Sequence, residues 1–97
     1  MKYAVKFSNS SLAKKFNKAL DKISPKEIQT QIKEQVLSLA DTPRPYGEPK
    51  IKPPIEVYSY VAQYRLRIGS YRVLYDVDDK KKVVWIFALR KRNERTY

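Results

Sequence analysis

Gly69 and Ser70 stand between two runs of strand-forming residues, Tyr58 to Ile68 and Tyr71 to Val77, and this pair constrains the fold more than any other feature of the chain. A two-residue connection with glycine first is the signature of a type II′ hairpin, whose twist matches the strands it joins. Such a turn leaves a single register. Ile68 faces Tyr71, Arg67 faces Arg72, Leu66 faces Val73, and Arg65 faces Leu74. Side chains alternate across a sheet, so Arg65, Arg67 and Arg72 share one face, and Leu66, Ile68, Tyr71, Val73 and Tyr75 share the other. Placing Arg67 directly opposite Arg72 costs from a few tenths to about 1 kcal/mol. A bound anion relieves that repulsion. The bland alternative is an exposed ladder in which Glu56 and Asp76 neutralise the arginines, although acids are few on that face.

The arginines are segregated. Six of the seven fall between Arg65 and Arg95, whereas the basic charge of the N-terminal third is carried by lysine. Lysine is a compact solvated point charge, suited to general attraction. Arginine is a planar fork that stays charged and grips phosphate bidentately. A third strand, Val83 to Leu89, runs into the basic tail Arg90-Lys91-Arg92-Asn93-Glu94-Arg95-Thr96-Tyr97. If it pairs with Tyr71 to Val77, its end returns beside Arg72. The turn at Asp78 to Lys81 admits loops of two, three or four residues, so the register leaves open whether Arg90 or Arg92 joins the cluster.

Upstream, Tyr3, Val5 and Phe7 alternate as a short strand. Asn9, Ser10 and Ser11 offer N-caps for a helix with Leu12, Phe16, Ala19, Leu20 and Ile23 on its apolar face. Lys14, Lys15, Lys18 and Lys22 occupy the remaining surface. Ser24-Pro25 restarts the chain, with Ser24 as N-cap and Pro25 at the first helical position. Ile28, Ile32, Val36 and Leu39 then form a second stripe. Asp41 to Pro54 holds five of the six prolines and reads as an irregular loop. The expected order is β-α-α-β-β-β. It gives an α+β fold in which a two-helix hairpin packs on a mostly antiparallel four-stranded sheet, as a single domain over residues 1–97.

The 97 residues carry a net charge of +11, which calls for a polyanionic partner. There is no Cys and no His. That removes a disulfide framework, a Cys-based zinc site, and the commonest acid–base side chain. No apolar run reaches the roughly 20 residues of a membrane span. The N-terminus has neither an h-region nor a cleavage site, so a cytoplasmic protein is expected, with no membrane partner.

The segment Tyr64-Arg65-Leu66-Arg67-Ile68-Gly69-Ser70-Tyr71-Arg72-Val73-Leu74-Tyr75 resembles the central hairpin of the RelE/ParE toxin superfamily, with its Y-[KR]-[LI]-[KR]…G-x-Y-R-[VIL]-x-Y pattern. Val83 to Tyr97 looks like the closing strand and basic tail of that family, and Tyr3 to Leu39 like its first strand and helical hairpin. The resemblance implies the toxin of a type II toxin–antitoxin system. In the RelE-type branch, such a toxin is an endoribonuclease (an mRNA interferase) that cuts messenger RNA in the ribosomal A site, without cofactor or metal, by attack of the 2′-OH on the adjacent phosphate.

Carried over by position, the resemblance assigns catalytic roles to Arg65, Arg67, Arg72, Arg92 and Tyr97. Phosphate or RNA contacts fall to Arg90, Lys91, Arg95, Lys14 and Lys18, the helical lysines docking on ribosomal RNA. Where family members often carry lysine, residues 65 and 67 are arginine and cannot readily accept a proton. Tyr97 is then the expected base, its pKa depressed by neighbouring arginines; the alternative is catalysis mostly by positioning and stabilisation of transition-state charge. Tyr46 and Tyr97 are the tyrosines expected to stack on bases; Tyr3, Tyr71, Tyr75 and Trp85 read as packing. The implied partners are messenger RNA, the ribosome and a cognate antitoxin that is acidic and partly disordered. Two other readings share the same residues: a ParE-type toxin that binds DNA gyrase, and a non-catalytic RNA- or ribosome-binding module.

Overall fold

The alternating and helical patterns become eight elements in a computed structural model that describes residues 2–45, 50–51 and 54–91. They are β1 (Ala4–Phe7), α1 (Ser10–Asp21), α2 (Lys26–Ser38), β2 (Ile55–Val57), β3 (Tyr60–Ala62), β4 (Tyr64–Ile68), β5 (Tyr71–Asp78) and β6 (Val83–Lys91). A four-stranded sheet has the order β1-β6-β5-β4, with β1 parallel to β6 and the other pairs antiparallel. The expected architecture of two helices on a mostly antiparallel four-stranded sheet is the one observed.

Helix α1 starts where the sequence places it. The Asn9 side chain accepts the Leu12 amide at 2.9 Å, satisfying one of the free donors of the first turn. Its second helical neighbour starts one residue later than expected. Pro25 is the N-cap, in extended conformation (ψ 168°), α2 begins at Lys26, and Ser24 does not cap it. The join is held instead by Gln29, whose side-chain amide donates to the Ile23 carbonyl at 2.7 Å. Leu12, Phe16, Leu20, Ile23, Ile32, Val36 and Leu39 are all buried, as their helical spacing predicts. Phe16, Leu20, Ile23, Ile32, Val36 and Leu39 meet Leu66, Ile68, Val73, Tyr75, Val84, Ile86 and Leu89 on the inner face of the sheet.

The hairpin has the expected register: Arg67 pairs with Arg72, and Ile68 with Tyr71. Gly69 has φ +58°, and a Cβ there would meet no atom within 4 Å. Backbone conformation, not space, therefore calls for glycine. In contrast, the run from Tyr58 to Ile68 is not one strand. The chain turns at Tyr58-Ser59, so that β2 and β3 pair as a separate two-stranded sheet (Val57 opposite Tyr60), and β4 begins only at Tyr64. Val57 and Ala62 of this small sheet pack with Leu12, Leu74, Phe87 and Ala88 in a second apolar cluster, on the outer face. Tyr60 stacks on Phe87 at 5.1 Å, and its hydroxyl accepts from Asn9 at 3.1 Å.

The start of the proline-rich segment is clasped to the far end of the sheet. Arg44 donates two hydrogen bonds to Asp79, at 2.8 and 3.2 Å, and a third to the Tyr64 hydroxyl at 3.0 Å. Tyr3 donates to Asp79 at 2.7 Å, and Tyr75 donates to the Pro43 carbonyl at 2.9 Å. Among the described residues no helix is long and apolar enough to cross a membrane.

The hydrogen bonds from Arg44 and Tyr3 hold the Asp79 carboxyl at about 2, below its ordinary 3.8. Because the folded value is depressed, the stabilisation is complete above the unfolded value and is lost as pH falls through the folded one. Asp79→Asn should therefore lower the melting temperature at neutral pH, and its gap to the wild type should close between about pH 4 and pH 2. Thermal melts across that range check this; a gap independent of pH would remove the carboxylate charge as its cause.

Candidate nucleic-acid interface

Between β5 and β6 the pairing is interrupted once. From Asp78 to Tyr75 the partners run continuously from Val83 to Ile86; Phe87 is then an extra residue, and Leu74 pairs with Ala88. This β-bulge shifts everything beyond it by one. Without the shift Arg72 would face Leu89. With it, Arg72 faces Arg90 and Leu89 turns inward to the core. The four-residue loop Asp79 to Lys82, closed by Lys82 at φ 57° and by the Lys81 amide donating to the Asp78 side chain at 3.0 Å, sets the starting register.

The result is a row of three guanidinium groups, Arg67, Arg72 and Arg90, at paired positions on three adjacent strands. Strands lie roughly 4.8 Å apart, so the row spans about 10 Å. Arg65 is in the next row, paired with Leu74. The outer face is thus divided. At the level of Leu74 and Ala88 it is roofed by β2 and β3; at the level of Arg72 it ends in arginines, of which Arg67 is exposed and Arg72 and Arg90 are half-buried. Arginine stems cover apolar surface, and at Arg72 the burial reaches Nε; partial removal from water strengthens a charge-assisted bond to phosphate.

The row continues around the sheet edge. β1 ends at Phe7, opposite Ile86, so the edge of β6 from Phe87 onward is left to α1. A groove of about 430 Å³ opens there, lined by Lys15, Lys18 and Lys22 of α1 together with Tyr71, Arg90 and Lys91. Arg90 belongs both to the row and to the groove. Of the two helical lysines singled out from sequence, Lys18 lines the groove, and Lys14 is exposed but does not line it. Lys15 and Lys22 were not singled out; their spacing of three and four residues from Lys18 is the signal that would have found them. Arg92, Arg95, Tyr97 and Tyr46 lie outside the described residues. Arg44, the one arginine apart from the others, belongs to the clasp.

The chemistry this surface offers is multivalent binding of a phosphodiester strand. Guanidinium groups remain cationic at any physiological pH, so the row neutralises charge and does not move protons. The ParE toxin of type II toxin–antitoxin systems (parDE) is the family whose model matches, over residues 10–96. Among solved structures the chain is similar to the archaeal RelE–RelB complex from Pyrococcus horikoshii OT3. The two share 31% identity over 97% of this chain and 99% of that one, with a TM-score of 0.68. The RelBE2 toxin–antitoxin complex of Mycobacterium tuberculosis matches at 25% identity over 95% of this chain and 100% of that one, with a TM-score of 0.64. A mutant of the Escherichia coli toxin RelE in the free state shares the fold, at 24% identity over 96% and 86% and a TM-score of 0.58. No curated protein sequence matches.

If the row serves an anion and not the fold, Arg72→Gln should leave the melting temperature nearly unchanged. A loss of more than about 2 kcal/mol in denaturant titrations would make Arg72 a structural residue of the sheet.

Proposed function

This chain belongs to the ParE toxin family of type II toxin–antitoxin systems, and we propose that within it the protein acts in the RelE manner, as an endoribonuclease that cleaves messenger RNA in the ribosomal A site. The observation that carries the proposal is the row Arg67–Arg72–Arg90 on three adjacent strands. A surface that only attracts nucleic acid needs scattered charge. Three planar forks within about 10 Å suit a single phosphodiester gripped from more than one side.

The reaction needs little else from the protein. The 2′-OH of the RNA attacks the adjacent phosphorus and gives up its proton; the bond to the 5′ oxygen breaks, leaving a 2′,3′-cyclic phosphate and a 5′-OH that takes a proton. Charge on the phosphoryl oxygens rises between the two states, and fixed cations aimed there stabilise the transition state more than the substrate. The arginines are assigned this role, and the same role is proposed for Arg65 and Arg92. Proton transfer is assigned to Tyr97, the position the family resemblance makes catalytic, because guanidinium does not readily accept a proton. The proposed route needs no metal. Lys18, with Lys15 and Lys22, extends the positive surface along α1 and would bring the protein to ribosomal RNA; Lys91 and Arg95 are assigned the same attraction to RNA. An antitoxin partner follows from the RelE–RelB and RelBE2 complexes to which this chain is similar. At net charge +11, an acidic, partly disordered segment that folds on binding fits it.

A second reading has support of its own. The matching family model is the ParE toxin, and the fold can equally present a gyrase-binding surface. Primer extension on a reporter messenger RNA, with and without ribosomes, separates the two. Wild-type protein should cut only when ribosomes are present, and Arg72→Ala should reduce cutting at least 100-fold, the scale of losing one donor to a transition-state oxyanion. Absence of cuts by folded wild-type protein, with gyrase supercoiling inhibited equally by both variants, would establish the ParE-type reading instead.

A further inference from the structure

Tyr58 occupies the first central position of the two-residue turn between β2 and β3, the position at which Gly69 stands in the neighbouring hairpin. Its φ of 57° lies in the left-handed region, while Ser59 after it has negative φ. Glycine normally fills such a position, or asparagine or aspartate, whose short polar side chains bond the local backbone; a larger side chain is strained there. A bulky aromatic residue is the wrong choice for the turn. Its side chain gives the fold little in return, for Tyr58 is 58% exposed.

The surroundings show what the ring can do. The Lys15 ammonium sits 3.9 Å from the ring centroid, within cation–π range, so one face is occupied while the residue as a whole stays largely exposed. Tyr58 also lines a small cavity, about 130 Å³, together with Lys15, Phe87, Ala88 and Arg90. An exposed aromatic residue thus stands at the end of the arginine row, lining one cavity with Arg90 and Lys15. Interleaved aromatic and basic side chains are the arrangement that holds single-stranded nucleic acid: cations track the phosphates and rings stack on the bases between them. The hairpin that carries Tyr58 is anchored by the Tyr60–Phe87 stack and by Asn9, so the ring is presented from a fixed support.

We propose that Tyr58 is a stacking platform for a base of the RNA strand whose phosphate lies on Arg67, Arg72 and Arg90. The inference rests on the phosphate reading of that row and adds a base-contacting residue to it. Lys15 backs the ring and contributes to phosphate attraction; Tyr58 positions the strand and takes no part in proton transfer.

The test uses the full chain and a short single-stranded RNA with 2′-O-methyl sugars, which cannot be cut, carrying 2-aminopurine at one position at a time. Stacking quenches 2-aminopurine fluorescence, and anisotropy of a terminal dye reports affinity. Wild-type protein should quench at one position. Tyr58→Phe should keep both signals. Tyr58→Gly suits the turn and should melt no lower than the wild type, yet it should lose the quench and bind about tenfold more weakly, the scale of one base–aromatic stack. Arg72→Ala should weaken binding while keeping the quench at saturation. Undiminished quenching by Tyr58→Gly overturns the inference and leaves the arginine site standing. Wild-type protein that fails to bind, or binds no better than Arg72→Ala, overturns the site reading and this inference with it.

Discussion

The two-residue turn at Gly69-Ser70 decides which residue of β4 faces which residue of β5, and the rest of the molecule is arranged around that decision. Because the side-chain period of a strand is two, a slip of one residue would send Leu66 and Ile68 to the outside and the arginines into the core. The apolar stripes of α1 and α2 need the first arrangement, and they bury Leu66, Ile68, Val73 and Tyr75. The burial that stabilises the fold is therefore also what forces Arg67 and Arg72 together on the opposite face.

The bulge at Phe87 completes the pattern. It lets β6 continue to bury Leu89 against the helices while bringing Arg90 into line with Arg72. A regular ladder would satisfy neither. Bulges re-aim side chains at a local cost in ladder bonding, and here the extra residue, itself apolar, is absorbed under the β2–β3 roof beside Leu74 and Ala88. The outer face is consequently half packed and half cationic, with the boundary running between adjacent rows of the same three strands.

Charge is organised on two scales. The lysines of α1 form a broad positive surface whose reach is set by ionic screening. The arginine row is short-range and directional. Meanwhile Arg44, pointed away from this surface, is spent on Asp79 and Tyr64, where it ties the proline-rich segment to the turn after β5. Asp79 is 56% exposed, so the ion pair by itself contributes modestly; the hydrogen bonds from Tyr3 and Tyr75 make the clasp a network spanning β1, the segment after α2, and the sheet.

Much of this was legible in the residues themselves. The helical stripes, the Gly69-Ser70 register and the segregation of arginine from lysine rest on local rules, namely period, turn chemistry and side-chain type, and the observed helices and central hairpin follow them. Three features depended on tertiary structure. A bulge leaves no local signature at Phe87, because its cause is the requirement that Leu89 be buried, so the place of Arg90 opposite Arg72 could not be counted from the turn. The β2–β3 hairpin was hidden because Tyr58-Ser59 lacks the glycine or asparagine that marks a turn; its conformation is imposed by packing of Val57 and Ala62 against Leu74 and Phe87. The role of Arg44 was invisible for a simpler reason: its partners, Tyr64 and Asp79, are brought to it only when the sheet closes. Sequence determined which residues must be buried and where arginine rather than lysine carries the charge; only the folded sheet decided which of those charges stand side by side.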